Sequence, residues 1–390
     1  MPIINRIAEF HDDMTRWRRD IHAHPETAFE EKRTADVVAG LLEDFGIEVH
    51  RGLATTGVVG TLKCGKGDKR IGLRADLDAL HIHEKNTFDH ASKHYGKMHA
   101  CGHDGHTTML LGAARYLAET RNFDGTIHFI FQPAEENEGG GRVMIEEGLF
   151  ELFPVESVYG MHNAPGIPVG QFAVREGPFL AAFDIFEIVV RGVGTHAAMP
   201  DRGIDPMVPA AQIVSGLQAI PSREISPLCS AVVSVTQIHG GDTWNVIPEH
   251  VTLRGTCRWF DNDVRDLLER SMRRICDGIA AAHRCTAELR YERRYPATVN
   301  TSAETVFAAQ VAAELVGDDH VDRDFEPDMG SEDFAFMLQE RPGCYMLIGN
   351  GPEEGGCLLH NPHYDFNDDI LPLGASYWAR LAERALANAS

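Results

Sequence analysis

No stretch of this sequence is apolar enough over a sufficient length to cross a bilayer, which excludes a helical membrane protein. The first ten residues, Met1 to Phe10, carry charges where a secretory signal keeps its apolar segment, so a cytoplasmic location is expected. Positive charge is also scarce. Lys and Arg number 36 against 58 Asp and Glu, a formal net charge of −22. Nucleic acid and anionic membrane surfaces both require basic patches, so neither is expected as a partner. The eight cysteines include no Cys-x-x-Cys pair. In a chain of this length they read as reduced, mostly buried residues and not as a disulfide framework. There is no internal repeat and no low-complexity segment.

What is present is a soluble balance of 43% hydrophobic and 24% charged residues over 390 positions, too long for one ordinary domain. Helical spacing is read at Ile7 to Arg19, Glu31 to Phe45 and Thr107 to Leu117, the last with Leu110, Leu111, Ala114 and Leu117 on one face. Between these lie apolar strand-like runs at 57–62, 71–75, 127–131 and 155–161. Strands that are apolar on both faces and alternate with helices predict an α/β domain with a doubly wound, mainly parallel sheet. From Phe183 the pattern changes. Alternating strands interleaved with helices near 206–219 and 263–283 predict an inserted α+β sandwich. The α/β pattern then resumes through a helix at 303–315, a strand at 344–348 and a final helix at 373–387. The expected organisation is a catalytic domain in two parts, 1–182 and 296–390, split by an inserted domain over 183–295.

Chemistry concentrates where the strands of the first pattern end. Asp76 and Asp78 follow one strand, Glu135 and Glu136 another, His162 closes a third, and His360 comes after the strand ending at Ile348. In open α/β sheets ligands bind outside the carboxyl ends of the strands, so these separate segments are expected to meet. Adjacent carboxylates repel and bury poorly, and a chain keeps such a pair when one binds a cation and the other works beside it as acid or base. Cys101 and His103 add a thiolate and an imidazole, and with Glu136, His162 and His360 they form a donor set suited to zinc or a similar divalent ion. The set is too large for one tetrahedral ion, whereas two ions sharing a bridge would use it fully. Taken singly, each residue has a plainer reading. A lone His162 is more often a hydrogen-bonded structural residue, a lone Cys101 a buried small side chain, and Glu135-Glu136 a solvated loop.

Eight segments in this order resemble the M20 metallopeptidase family, in its branch of hippurate hydrolases, N-acyl-amino-acid amidohydrolases and auxin-conjugate hydrolases. They are Arg18 to Glu26, Leu73 to Leu80, Cys101 to His106, Gln132 to Glu136, Gly194 to Pro200, Asn245 to Pro248, Met329 to Phe334 and Leu359 to Pro362. The resemblance implies a dinuclear metal-dependent enzyme that cleaves N-acyl amino acids into a carboxylic acid and a free amino acid. It implies two divalent ions per subunit, Zn or Mn with Co or Ni as further candidates, held by His103, Glu136, His162 and His360 and bridged by Cys101. Glu135 would be the general base and acid, with Asp78 supporting the site from behind. In the inserted domain His196 would act on the substrate oxyanion, while Asn245 and Arg258, together with Gly330 of the Met329 to Phe334 segment, would contact substrate. A homodimer, or a dimer of dimers, follows by the same analogy. The chain departs from the family at His81, where proline is usual, and at Ala164, where an aromatic is common and whose loss would widen the acyl pocket. Asp104 and His106 read as supporting residues. His81, His83, His90, His94 and His99 form a His-rich loop that reads as solvated. A dipeptidase or an aryl-amine-releasing hydrolase of the same fold, and a metal-binding scaffold without catalysis, are the competing readings. Retention of Glu135 beside a ligand argues against the last.

Overall fold

The computed structural model describes residues 3–352 and 358–387. The strand Gly125–Gln132 is buried at every position and therefore takes a central place, as a strand apolar on both faces must. It belongs to an eight-stranded sheet in the order 48–53, 57–64, 125–132, 70–76, 157–165, 343–351, 172–173, 321–322. Pairing among strands 125–132, 70–76, 157–165 and 343–351 is parallel, as is that of 172–173 with 321–322. The pair at 48–53 and 57–64, and the contacts 57–64 with 125–132 and 343–351 with 172–173, are antiparallel. A parallel centre thus carries antiparallel additions on either side. Helices His103–Thr120 and Leu371–Ala385 pack on each other and on the strand Arg70–Asp76. One large apolar cluster, running from Ile7 through Phe129 and Met346 to Trp378, fills this part of the molecule.

The helix expected from Thr107 begins at His103 instead. Its first turn is His103, Asp104, Gly105 and His106, which apolar spacing cannot register, and Gly102 before it adopts a left-handed φ of 99°. The final helix starts at Leu371 and the strand expected to stop at Ile348 continues to Gly351.

By contacts the chain divides into two units: Met1–Phe179 with Thr298–Pro327 and Asp333–Ser390, and Leu180–Ala297 with Asp328–Glu332. The second unit holds a four-stranded antiparallel sheet in the order 231–239, 250–259, 182–191, 286–295. Along His250–Trp259 buried and more exposed residues alternate, the signature of a sheet covered on one face. Helices Met207–Leu217 and Asn262–Ala282 supply the cover, closing a separate core around Ile188, Leu253, Leu268 and Met272.

All seven cysteines among the described residues are unpaired, and five of them, including Cys101, are buried; Cys357 lies outside the described residues. No described helix is long and apolar enough to cross a membrane.

Candidate metal centre

The carboxyl ends of the central parallel strands deliver the chemistry. The strand Arg70–Asp76 is followed by Asp78, whose carboxylate is fully buried and accepts two backbone N–H groups, from Glu135 at 3.0 Å and from Glu136 at 2.9 Å. Those two residues follow the strand Gly125–Gln132 through a turn in which Ala134 has a left-handed φ of 55°. The backbone carbonyl of Asp78 accepts a hydrogen bond from Nδ1 of His103 at 2.9 Å, which requires a proton on Nδ1 and turns Nε2 the other way. Gly102 is required where it stands: a Cβ there would fall 2.1 Å from Oδ1 of Asn163, in a backbone region that favours glycine in any case.

His162 lies within the strand Ser157–Pro165 and is oriented in the same manner. Its Nδ1 donates to the carbonyl of Asn163 at 2.7 Å, and its Nε2 comes within 3.3 Å of Sγ of Cys101. His360, also with left-handed backbone (φ 63°), is held by its N–H to the carbonyl of Ala100 at 2.7 Å, and its Nε2 is 3.1 Å from Oε1 of Glu136.

Five donor groups result among the described residues, two of them Asp76 with His103 and His106, and Glu135 with Glu332 and Asp333. In the other three, Cys101, His103 and His162 bring ligand atoms within 4.8 Å of one another; Cys101, Glu136 and His360 do the same; so do His103, Glu135 and Glu136. The two sets that contain Cys101 share only the thiol, so a pair of ions sharing Cys101 fits the residues present. Nε2 of His103 is buried without a hydrogen bond, a costly arrangement that a bound cation relieves.

The electrostatics agree. Burial alone would lower the pKa of His103, yet Asp76, Asp78 and Glu136 raise it to about 10. Burial, followed by Glu136, Glu135 and Asp76, pushes the Cys101 thiol well above its ordinary range. His162 moves the other way, lowered by burial and by neighbouring His106. A pocket that protonates a thiol and an imidazole in this way holds surplus negative charge, and a divalent ion reverses that preference by favouring thiolate and neutral imidazole.

Behind the donors stands a buried polar network. Burial opposes ionisation of Asp76, but His103, Arg74 and His106 outweigh it and hold its carboxyl well below the usual range. Arg74 donates to Asp76 at 2.7 Å, to Asp333 at 3.0 Å and to Gln132 at 2.9 Å. His106 lies 2.7 Å from both Asp76 Oδ1 and Asn163 Oδ1, and Asn163 donates to the hydroxyl of Tyr364 at 2.6 Å. The backbone N–H of Asp333 reaches Oε1 of Glu135 at 3.4 Å. The supporting roles of Gln132, Asn163, Asp333 and Tyr364 were invisible to sequence reading, although Gln132 and Asp333 stand inside segments it singled out. Asp104 pairs with His22 at 2.8 Å and does not face the donors.

The His-rich loop is not simply solvated. His99 has both ring nitrogens unpartnered and burial holds its pKa down near 3, and His90 pairs with Asp365 at 3.1 Å. Both are packed by segments distant in sequence.

The other residues singled out by sequence belong to the second unit. His196 forms a short ladder with Val246, and the carbonyl of Asn245 accepts the N–H of Ala197 at 2.9 Å. Nδ1 of His196 accepts the N–H of Ala198 at 3.1 Å, leaving Nε2–H on an exposed ring. Arg258 is half-buried, donates to Thr256 at 2.6 Å and lies over the Phe183 ring at 4.9 Å. No described carboxylate stands within ion-pair distance of it. Gly330 donates its N–H to Asp328 at 2.5 Å.

Residues 72–384 match the family model described as peptidase family M20/M25/M40. A hippurate hydrolase of Campylobacter jejuni is 41% identical over 386 residues, covering 99% of this chain and 100% of its own length. An N-acetylcysteine deacetylase of Bacillus subtilis is 41% identical over 376 residues, covering 96% and 97%. An IAA-amino acid hydrolase of Arabidopsis thaliana is 42% identical over 384 residues, covering 97% and 86%. Among solved structures, a dinuclear metal binding peptidase of the M20 family from Bacillus subtilis superimposes with a TM-score of 0.84 at 36% identity, covering 98% of this chain and all of that one.

Proposed function

The chain belongs to peptidase family M20/M25/M40, and from that premise we propose that it is a dinuclear metal-dependent amidohydrolase, cleaving N-acyl amino acids into a carboxylic acid and a free amino acid. The observation that supports this reading is the pair Glu135 and Glu136, with both N–H groups clamped on Asp78 beside the Cys101 donors; we assign Glu136 to the ions and Glu135 to proton transfer.

Cys101, His103, Glu136, His162 and His360 would hold the two ions, with the Cys101 thiolate common to both sites. When bound, the ions supply Lewis-acid polarisation of the scissile carbonyl and lower the pKa of water towards neutrality. Glu135 takes a proton from the attacking water and hands it to the departing amine nitrogen, so one carboxylate serves as base and then as acid. Asp78 orients that carboxylate through the backbone and orients His103 through its carbonyl. His196, with Nε2–H exposed, is suited to donate to the oxyanion of the tetrahedral stage in the partner subunit's site of the proposed homodimer. Arg258, lacking a carboxylate partner, is suited to the free carboxylate of the amino-acid half, and Asn245 and Gly330 to its polar atoms.

Zinc or manganese fits the mixed sulfur, nitrogen and oxygen donors, and cobalt or nickel would also be accepted. A reduced thiol ligand and unpaired cysteines fit a reducing compartment, so we place the enzyme in the cytoplasm. The relatives' substrates support a small N-acyl amino acid. Ala164, two residues past His162, carries no aromatic side chain, which favours a bulky acyl group. The working form would be a homodimer, measurable as solution mass by light scattering.

The reading is tested by reconstituting purified protein with zinc or manganese and following amino acid release from benzoyl-, acetyl- and indoleacetyl-amino acids, with dipeptides in parallel. Release from at least one acyl class is expected. Fully metallated protein that releases nothing from any of them, or cleaves only dipeptides, would overturn it.

A further inference from the structure

Eight non-glycine residues among those described adopt a left-handed φ, and four of them, Phe29 (61°), Ala54 (48°), Thr55 (71°) and Ala134 (55°), occur in three turns from separate parts of the chain. A single side chain joins those turns. The carboxyl of Glu31 has no exposed surface; its Oε1 accepts the N–H of Ala134 at 2.9 Å and of Phe29 at 3.1 Å, and its Oε2 accepts the hydroxyl of Thr56 at 2.6 Å. Left-handed backbone costs a residue bearing a Cβ on the order of 1 kcal/mol or more, and persists only where its surroundings over-determine it.

Ala134 is the residue immediately before Glu135. Its N–H points to Glu31, and the next two, of Glu135 and Glu136, point to Asp78. Three consecutive amides are thus gripped by two buried carboxylates approaching from different parts of the sequence. Were Ala134 to relax to right-handed backbone, the peptide leading into Glu135 would turn and carry that carboxylate away from its place.

We propose that Glu31 is a positioning residue for amide hydrolysis: by holding the left-handed turn at Ala134 it aims Glu135, while Asp78 fixes the two peptides that follow. The inference rests on the proton-transfer role assigned to Glu135.

The test compares wild type, Glu31→Gln, Glu31→Ala and the double variant Glu31→Ala with Ala134→Gly, each loaded with metal and assayed on the best N-acyl amino acid. Bound metal per subunit and circular dichroism are measured on the same samples. Misplacing a reacting group by about 1 Å can cost about 100-fold, so Glu31→Ala is expected to lower kcat roughly 10- to 100-fold with KM within about twofold and both ions retained. Glu31→Gln keeps an oxygen acceptor and should lose less. Glycine accepts left-handed backbone without penalty, so the double variant should regain at least about threefold in kcat over Glu31→Ala. A purely structural role would lower folded fraction and metal content together, with kcat per metallated enzyme unchanged. That outcome, or a kcat within about threefold of wild type in Glu31→Ala, or no recovery in the double variant, overturns the proposal. If Glu31→Ala does not fold, Glu31→Gln decides the matter by the same split of kcat from KM and metal content. Wild-type enzyme inert on every N-acyl amino acid would sink the proposed function, and this inference with it.

Discussion

Asp78 binds the backbone N–H groups of Glu135 and Glu136 with its two carboxylate oxygens, at 3.0 and 2.9 Å, while its own carbonyl receives Nδ1 of His103. One buried residue therefore sets the direction of the two proposed ligands His103 and Glu136 and of the proposed base Glu135. Asparagine at position 78 would keep one acceptor and present an NH2 group to the second N–H. We expect Asp78→Asn to lower metal affinity or kcat by about 10- to 100-fold, the usual cost of losing a supporting partner. Titration of metal-free protein with zinc and steady-state kinetics on the loaded variant measure the two separately. Wild-type values in both would remove Asp78 from the site.

Glu135 and Glu136 are adjacent in sequence but should separate cleanly in function. Glu135→Gln is expected to bind two ions, fold normally and lose about two to four decades of kcat, the span of general acid and base catalysis. Glu136→Gln should instead lose metal. The assignment of the pair would be reversed if Glu135→Gln were the variant short of metal.

Cys101 is buried and unpaired, whereas Cys229 is exposed. If the Cys101 thiolate is shared between two ions, metal shields it and chelation should speed its alkylation, with Cys229 labelled equally in both samples as the internal standard. Peptide mass mapping reads both sites in one digest. Equal labelling of Cys101 with and without chelator argues against the thiolate ligand.

Stability should respond to His128, which lies in the central strand Gly125–Gln132, away from the donors. Its ring sits 3.0 Å from the hydroxyl of Thr61, and burial, with a smaller effect of Arg70, lowers its pKa from 6.5 to about 4. Between those values the unfolded chain binds the proton and the folded protein does not, so stability present above pH 6.5 is lost as pH falls towards 4. At 1.36 kcal/mol per pH unit the loss from this group is at most about 3 to 4 kcal/mol. Urea unfolding at pH 7, 5.5 and 4.5 should therefore show a shallower decline in His128→Gln than in wild type. Parallel curves would mean that His128 titrates alike in both states.

Much of the site was legible because its signals are local. Glu135 beside Glu136, Cys101 two residues before His103, and the apolar runs that end just before the acidic residues are all short-range patterns, and the rule that parallel strands present ligands at their carboxyl ends turned those patterns into one place. The helix opening at His103 escaped notice because its first turn is polar, and apolar periodicity reports only the turns that face a core. The burial of His99 escaped because a histidine in a polar loop looks the same whether or not another segment covers it.

The sequence by itself determined the alternation of strands and helices, the change of pattern at Phe183 and the residues able to bind metal, since each follows from neighbours within a turn or a strand. Only the tertiary structure decided which side chains support them. Arg74 meets Asp333 across 259 positions, Asn163 meets Tyr364 across 201, and Glu31 meets the turn before Glu135 across 103. The physical reason is that a buried polar group needs a partner but does not specify where in the chain that partner lies. Chain topology supplies it, and leaves no periodic trace in the residues it joins.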